Sequence, residues 1–147
     1  MATVDVEVQA TIARPRTVVA AYCCDPDNAT SWYANIDSVQ WETAKPMTVG
    51  SRFTFNARFL GRALNYTYDV VEWTADQRFV MRTAQGPFPM ETTYEWEDGP
   101  DGSTLMRLSN RGEPAGFSRI VTPIMSLAIK RATAKDLRRL KSIMEAD

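Results

Sequence analysis

Between Val4 and Ile12 the chain alternates, with Val4, Val6, Val8, Ala10 and Ile12 against Asp5, Glu7, Gln9 and Thr11. Successive strand side chains point to opposite faces, so residues 2–12 predict a strand with one face covered. Arg14-Pro15 stops it, and Pro15 suits the first turn of a short helix carrying Val18, Val19, Ala21 and Tyr22. Asp25-Pro26 repeats the signal, with Asp25 as N-cap of a second short helix ending near Trp32 and Tyr33. From Ile36 the pattern returns to period two. Ile36 to Glu42 is one strand, and Ser51 to Leu60 is the next, with Phe53, Phe55, Ala57 and Phe59 on one face. Gly61 permits a tight hairpin into Arg62 to Trp73, which places Leu64, Tyr66, Tyr68 and Val70 together. Arg78 to Thr83 follows. Two more strands lie either side of Gly99-Pro-Asp-Gly102: Phe88, Met90, Thr92, Tyr94 and Trp96 face inward on the first, Thr104, Met106, Leu108 and Asn110 on the second. Connections this short predict an antiparallel meander.

The period then changes to 3.6. Residues 117–147 predict a long helix, with Thr122-Pro123 as its cap and first turn or with Pro123 as a kink. Ile129, Ala132, Thr133, Leu137, Leu140, Ile143 and Met144 form its apolar stripe. Arg131, Lys135, Arg138 and Arg139 lie opposite, a basic face expected to be solvated. Earlier in the helix Ile120, Ile124 and Leu127 project opposite Val121, Met125 and Ile129. Apolar residues on both sides point to a kink that resets the phase, a cavity mouth, an interface with a second copy in a homodimer, or a membrane touched to exchange a lipid.

Composition narrows the chemistry. There is no histidine among the 147 residues, which removes Ser-His-Asp and Cys-His nucleophiles and every His-ligated metal site. Two adjacent cysteines, Cys23 and Cys24, cannot assemble a zinc site and are expected as small apolar residues on a buried helix. No metal or cofactor is expected, and catalysis would fall to carboxylates, Tyr, Lys, Arg or a held water. A net charge of −1 gives no general field for nucleic acid, so no nucleic-acid partner is expected. No apolar run approaches the roughly 18 residues of a membrane span, so stable membrane insertion is not expected. The N-terminus lacks the basic region and apolar block of a signal peptide, which places the chain in the cytoplasm. The length suits one domain over residues 1–147.

One strand, two small helices, six strands and one long helix is an α+β order that resembles the helix-grip fold. In that fold a curved antiparallel sheet of about seven strands wraps around the C-terminal helix. The chain is similar to the START-like, Bet v 1-like (SRPBCC) superfamily, specifically its bacterial polyketide cyclase/dehydrase and lipid-transport branch. The residues carrying the likeness are Arg14-Pro15 followed by Val18, and Asp25-Pro26 with Trp32 after it. Further along come Val49-Gly50-Ser51-Arg52-Phe53, Gly86-Pro87-Phe88-Pro89 and Asp101-Gly102-Ser103-Thr104. The ending Asp136-Leu137-Arg138-Arg139-Leu140-Lys141, with Glu145, completes the set. The resemblance implies the fold strongly and an activity weakly, because one fold hosts many functions.

A helix cannot by itself fill the hollow of a curved sheet, so inward side chains either interdigitate or leave a cavity. Candidate ligand contacts on the strands are Phe55, Phe59, Tyr66, Tyr68, Met81, Met90, Thr92, Tyr94 and Asn110. Trp32, Phe117, Met125 and Ile129 would approach from the helices. Each has an ordinary alternative: a ring packed with its hydroxyl on a backbone carbonyl for the tyrosines, a turn or cap bond for Asn110, a core plug for Trp32. Asp136 falls on the apolar stripe. It is either a carboxyl with a raised pKa acting as acid or base, or a group held by an ion pair or as a backbone anchor to a loop under the helix end, and the second is the commoner fate of a buried carboxylate. The leading expectation is a domain that binds a small, largely apolar molecule, such as a polyketide, isoprenoid or lipid-like metabolite. The alternatives are a cyclase- or dehydratase-like enzyme using Tyr66, Tyr68, Asp136 or a held water, and an interaction protein with a filled core. A ligand site of the usual kind would measure roughly 300 to 1,000 Å³, and a cavity of less than a few hundred Å³ would count against both the binding and the enzyme expectations.

Overall fold

The computed structural model describes residues 4–59, 61–85, 89–112 and 121–146. Strand β1 (Val4–Ile12) leads into α1 (Arg16–Cys23), a 3-10 turn at Pro26–Asn28 and α2 (Ala29–Trp32). A meander follows: β2 (Ile36–Trp41), β3 (Arg52–Phe59), β4 (Arg62–Thr74), β5 (Arg78–Gln85), β6 (Met90–Asp98) and β7 (Thr104–Gly112). Helix α3 (Val121–Glu145) closes the chain. The seven strands form one antiparallel sheet in the order β1-β7-β6-β5-β4-β3-β2, the helix-grip arrangement expected from the sequence. Since β1 and β2 are opposite edges, the α1–α2 link must cross the sheet. Register shifts at Ile36/Ser38, Thr67/Tyr68 and Val70/Glu72 add the bends that curl the sheet.

The local signals act as their chemistry requires. Pro15 precedes α1 and its carbonyl accepts from the Val18 and Val19 amides, while Asp25 Oδ1 accepts the Asp27 amide at 3.0 Å. Gly61 takes φ 77°, a left-handed conformation that costs glycine nothing. The hairpin partner Leu60, the strand-entry residues Gly86, Pro87 and Phe88, and Ile120 with the rest of 113–120 lie outside the described residues.

Two apolar clusters fill the grip. The main one joins α1, α2 and the C-terminal half of α3 to the sheet through Val19, Cys23, Trp32, Phe53, Phe79, Trp96, Met106, Leu137 and Leu140. A second, around the N-terminal half of α3, holds Val4, Val6, Met90, Met125 and Ile129. Cys23 and Cys24 are buried free thiols, as expected; burial pushes the first well up and the second to about 12, so both stay protonated and unreactive. Helix α3 lies on β1 and α2. Its C-terminal half is tied down: Ala13 N donates to Glu145 Oε2 at 2.8 Å and Arg14 Nη1 to the Met144 carbonyl at 3.0 Å. In the same half, Arg139 Nε and Lys141 Nζ donate to the Ser31 and Thr11 carbonyls, each at 2.6 Å.

The convex face carries rows of alternating charge. Arg52, Asp69, Arg82, Glu91, Arg111 and Asp5 are cross-strand neighbours in succession through β3, β4, β5, β6, β7 and β1. On this face Arg82 pairs with Glu91 at 2.7 Å and Arg107 with Glu97 at 3.2 Å.

Candidate functional site

A cavity of about 140 Å³ lies between the sheet and α3. Its sheet wall is Phe55 and Ala57 on β3, Tyr66 and Tyr68 on β4, Met90 on β6 and Asn110 on β7. These face inward because period-two alternation puts Phe53, Phe55 and Ala57 on one side of β3 and Leu64, Tyr66 and Tyr68 on one side of β4. The helical wall is Ile129, Ala132, Thr133 and Asp136, which helical spacing sets on one stripe of α3. Tyr33 and Asn35 in the link from α2 to β2, Ile36 at the start of β2 and Arg58 on β3 complete it. Members of both apolar clusters border the space, so the cavity sits where the two meet.

Polar groups cross this junction in a connected row. Thr92 Oγ1 donates to Asn110 Oδ1 at 2.7 Å, Asn110 Nδ2 to Thr133 Oγ1 at 3.2 Å, and Thr133 Oγ1 to the Ile129 carbonyl at 2.7 Å. Burial raises the pKa of the Tyr68 phenol against a lowering effect of Thr92. Tyr66 stacks on Tyr68 with ring centroids 6.2 Å apart, and burial raises its phenol too. Asn110 thus makes a sheet-to-helix bridge in place of the turn or cap bond that is its commoner role.

Asp136 is 5% exposed, and its Oδ1 accepts the Ala34 amide at 3.0 Å. This is the loop anchor expected of a buried carboxylate at that helical angle. The same carboxyl borders the cavity, and burial raises its pKa to about 6 against the lowering effects of the Ala34 bond, Lys135 and Arg139. Anchor and titratable cavity group are one residue.

Of the residues expected to contact a ligand, Phe55, Tyr66, Tyr68, Met90, Asn110 and Ile129 border the cavity. Five do not. Trp32, 1% exposed, is a core plug stacked on Tyr33 at 4.0 Å; Met81 is buried in the main cluster. Thr92 and Tyr94 stand one layer back, Thr92 giving its hydroxyl to Asn110 and Tyr94 sharing a 2.6 Å bond with Tyr33. Met125 packs under the helix with Val4 and Val6. Phe117 and the side chain of Phe59 lie outside the described residues. Tyr33, Asn35 and Arg58 were missed. The first two sit in a loop, where no periodicity reports direction, and Arg58 alternates outward on β3 but reaches the rim beside its Asp37 partner at 3.0 Å.

A larger concavity of about 360 Å³ lies under α1, lined by Cys24, Trp41, Lys45, Met47 and Trp73. It lies away from the polar row, and Asp27 bridges Trp41 and Lys45 across it at 2.9 and 2.7 Å. Among the described residues no group of His, Cys, Asp or Glu could hold a metal ion, and no helix is long and apolar enough to cross a membrane.

Comparison with known proteins agrees with the architecture. The chain superposes on a START superfamily protein from Mycobacterium smegmatis with a TM-score of 0.81 at 14% identity, covering 96% of this chain and 97% of that one. The Zhui aromatase/cyclase from Streptomyces sp. R1128 gives 0.82 at 12% identity, covering 97% and 94%. The major latex-like protein 151 of Panax ginseng gives 0.75 at 14%, covering 99% and 100%. Identities this low speak for the fold alone. Among curated proteins none matches the sequence. The family model described as polyketide cyclase/dehydrase and lipid transport matches residues 3–145, nearly the whole chain, and the protein belongs to that family.

Proposed function

We propose that the domain binds a small, largely apolar molecule in the cavity between the sheet and α3. The observation that carries this reading is the lining: aromatic rings of Phe55, Tyr66 and Tyr68 on one side, with Asn110, Thr133 and Asp136 converging on the same space. Apolar walls with a few placed polar groups are the usual make-up of a small-molecule site. A volume of about 140 Å³ falls below the usual range and matches the roughly 150 Å³ apolar cavity that takes a benzene ring. The fitting ligand is therefore ring-sized, or a ring-sized part of a longer polyketide, isoprenoid or lipid-like molecule that leaves through the rim at Arg58. Native mass spectrometry of protein purified from its own host tests this. A retained apolar metabolite near unit occupancy supports it; an empty protein that no small apolar compound stabilises would favour the filled-core interaction reading.

A second reading is favoured by Asp136 alone. A carboxyl whose pKa is raised to about 6, lining the same cavity as the Tyr66 and Tyr68 phenols, can exchange a proton near neutral pH, as a cyclase- or dehydratase-like enzyme would require. On that reading Tyr66→Phe or Asp136→Asn abolishes product while ligand binding survives.

A further inference from the structure

Several polar groups in and behind the cavity wall have spent their protons. Thr133 gives its hydroxyl hydrogen to the Ile129 carbonyl and Thr92 gives its own to Asn110. Asn110 uses one amide hydrogen on Thr133. The hydroxyls of Tyr33 and Tyr94 bond each other. Donor groups line the space too, on Asn35 and Arg58, and beside them it meets a set of acceptors: the Asp136 carboxylate, the remaining lone pair of Thr133 and the faces of Phe55, Tyr66 and Tyr68. An ammonium group is the complement, with three donors and no acceptor, and aromatic faces attract it as well.

The charges around Asp136 agree. None of the ion pairs among the described residues includes it, and its one hydrogen-bond donor is the neutral Ala34 amide. On its own helix Lys135 and Arg139 are exposed, and Arg139 is turned to the Ser31 carbonyl. Across the cavity the titratable groups are Tyr33 from the α2–β2 link and Tyr66 and Tyr68 from β4. Arg58 on β3 stands at the rim, mostly exposed and paired with Asp37. A buried carboxylate without a cation is costly, and an incoming cation relieves that cost.

Resting on the reading of this cavity as a ligand site, we propose that it selects compact apolar molecules bearing one protonated amine. The apolar body lies against Phe55, Tyr66 and Tyr68, and the ammonium group meets the Asp136 carboxylate. Asp136 is the one carboxylate lining the cavity among the described residues, so the ligand is a monoamine.

Two probes of nearly equal size decide it: phenethylamine, protonated at neutral pH, and its neutral isostere 2-phenylethanol. Calorimetric titration at pH 7.5 is expected to show the amine binding about tenfold more tightly, the worth of one charge-assisted bond. The preference shrinks at pH 5, where Asp136 is largely protonated, and is lost in Asp136→Asn. Equal binding of both probes by the wild type, or tighter binding of the alcohol, overturns the amine selectivity and leaves the ligand site standing. Binding of neither overturns the ligand site and the selectivity with it. The comparison in the wild type needs no substitution, so a variant that fails to fold does not disturb the decision.

Discussion

At position 136 one carboxyl both caps a loop amide and borders a cavity, and its protonation is tied to folding. Its pKa is raised from 3.8 to about 6 by burial. A carboxyl whose folded pKa lies above its unfolded value contributes its full stability below about pH 4 and loses it as the pH rises through about 6. Relative to Asp136→Asn, the wild type is therefore expected to lose about 2–3 kcal/mol between pH 4 and pH 7, read from urea melts at several pH values. A flat difference across that range would show that the carboxyl stays ionised and well solvated. The helical angle of Asp136 among Ile129, Ala132 and Leu140 made it legible in the sequence. Its partner was not legible, because a backbone amide such as that of Ala34 carries no letter of its own and is recruited by the path of the chain.

At the scale of elements, α3 and the convex sheet face test how far pattern sets structure. The stripe of α3 divides as its period requires: Leu140 is fully buried, while Ile124 and Leu127 are 67% and 50% exposed. Leu140→Ala should cost about 2–5 kcal/mol and Leu127→Ala no more than about 0.5 kcal/mol, measured by chemical denaturation. A comparable cost for Leu127 would mean that a second copy or another partner covers it in solution. On the sheet, Glu91 stands between Arg82 and Arg111. Glu91→Lys places three cations in a row and should destabilise by about 1 kcal/mol, with the loss shrinking in high salt; an effect independent of salt would assign it to packing. Alternation identified these outward charges, and antiparallel register then paired them. Which arginine meets which carboxylate depends on the bulges at Thr67/Tyr68 and Val70/Glu72, which no local pattern announces.

For the whole molecule the decisive quantity is a volume. Ala132 is half-buried and borders the cavity from the helix side, where a larger apolar side chain would enter the empty space. Ala132→Leu is expected to leave folding intact and to abolish stabilisation by ring-sized compounds, compared by thermal shift with the wild type. Stabilisation that survives would move the ligand elsewhere, and the concavity at Trp41 and Trp73 would be examined next.

The amino-acid sequence by itself determined the order and type of the elements, the inward faces of the strands and the buried stripe of α3. Each of these follows from a local period, two for strands and 3.6 for helices, acting on residues that must leave water. Only the tertiary structure decided that Trp32, Met81 and Tyr94 are solid core while Tyr66, Asn110 and Asp136 border open space. Inward direction is a property of one strand, but whether an inward side chain meets protein or a void depends on how the opposite wall curves toward it. The same holds for Tyr33, Asn35 and Arg58, brought to the rim by a loop and the end of β3, whose positions are set by contacts distant in the chain.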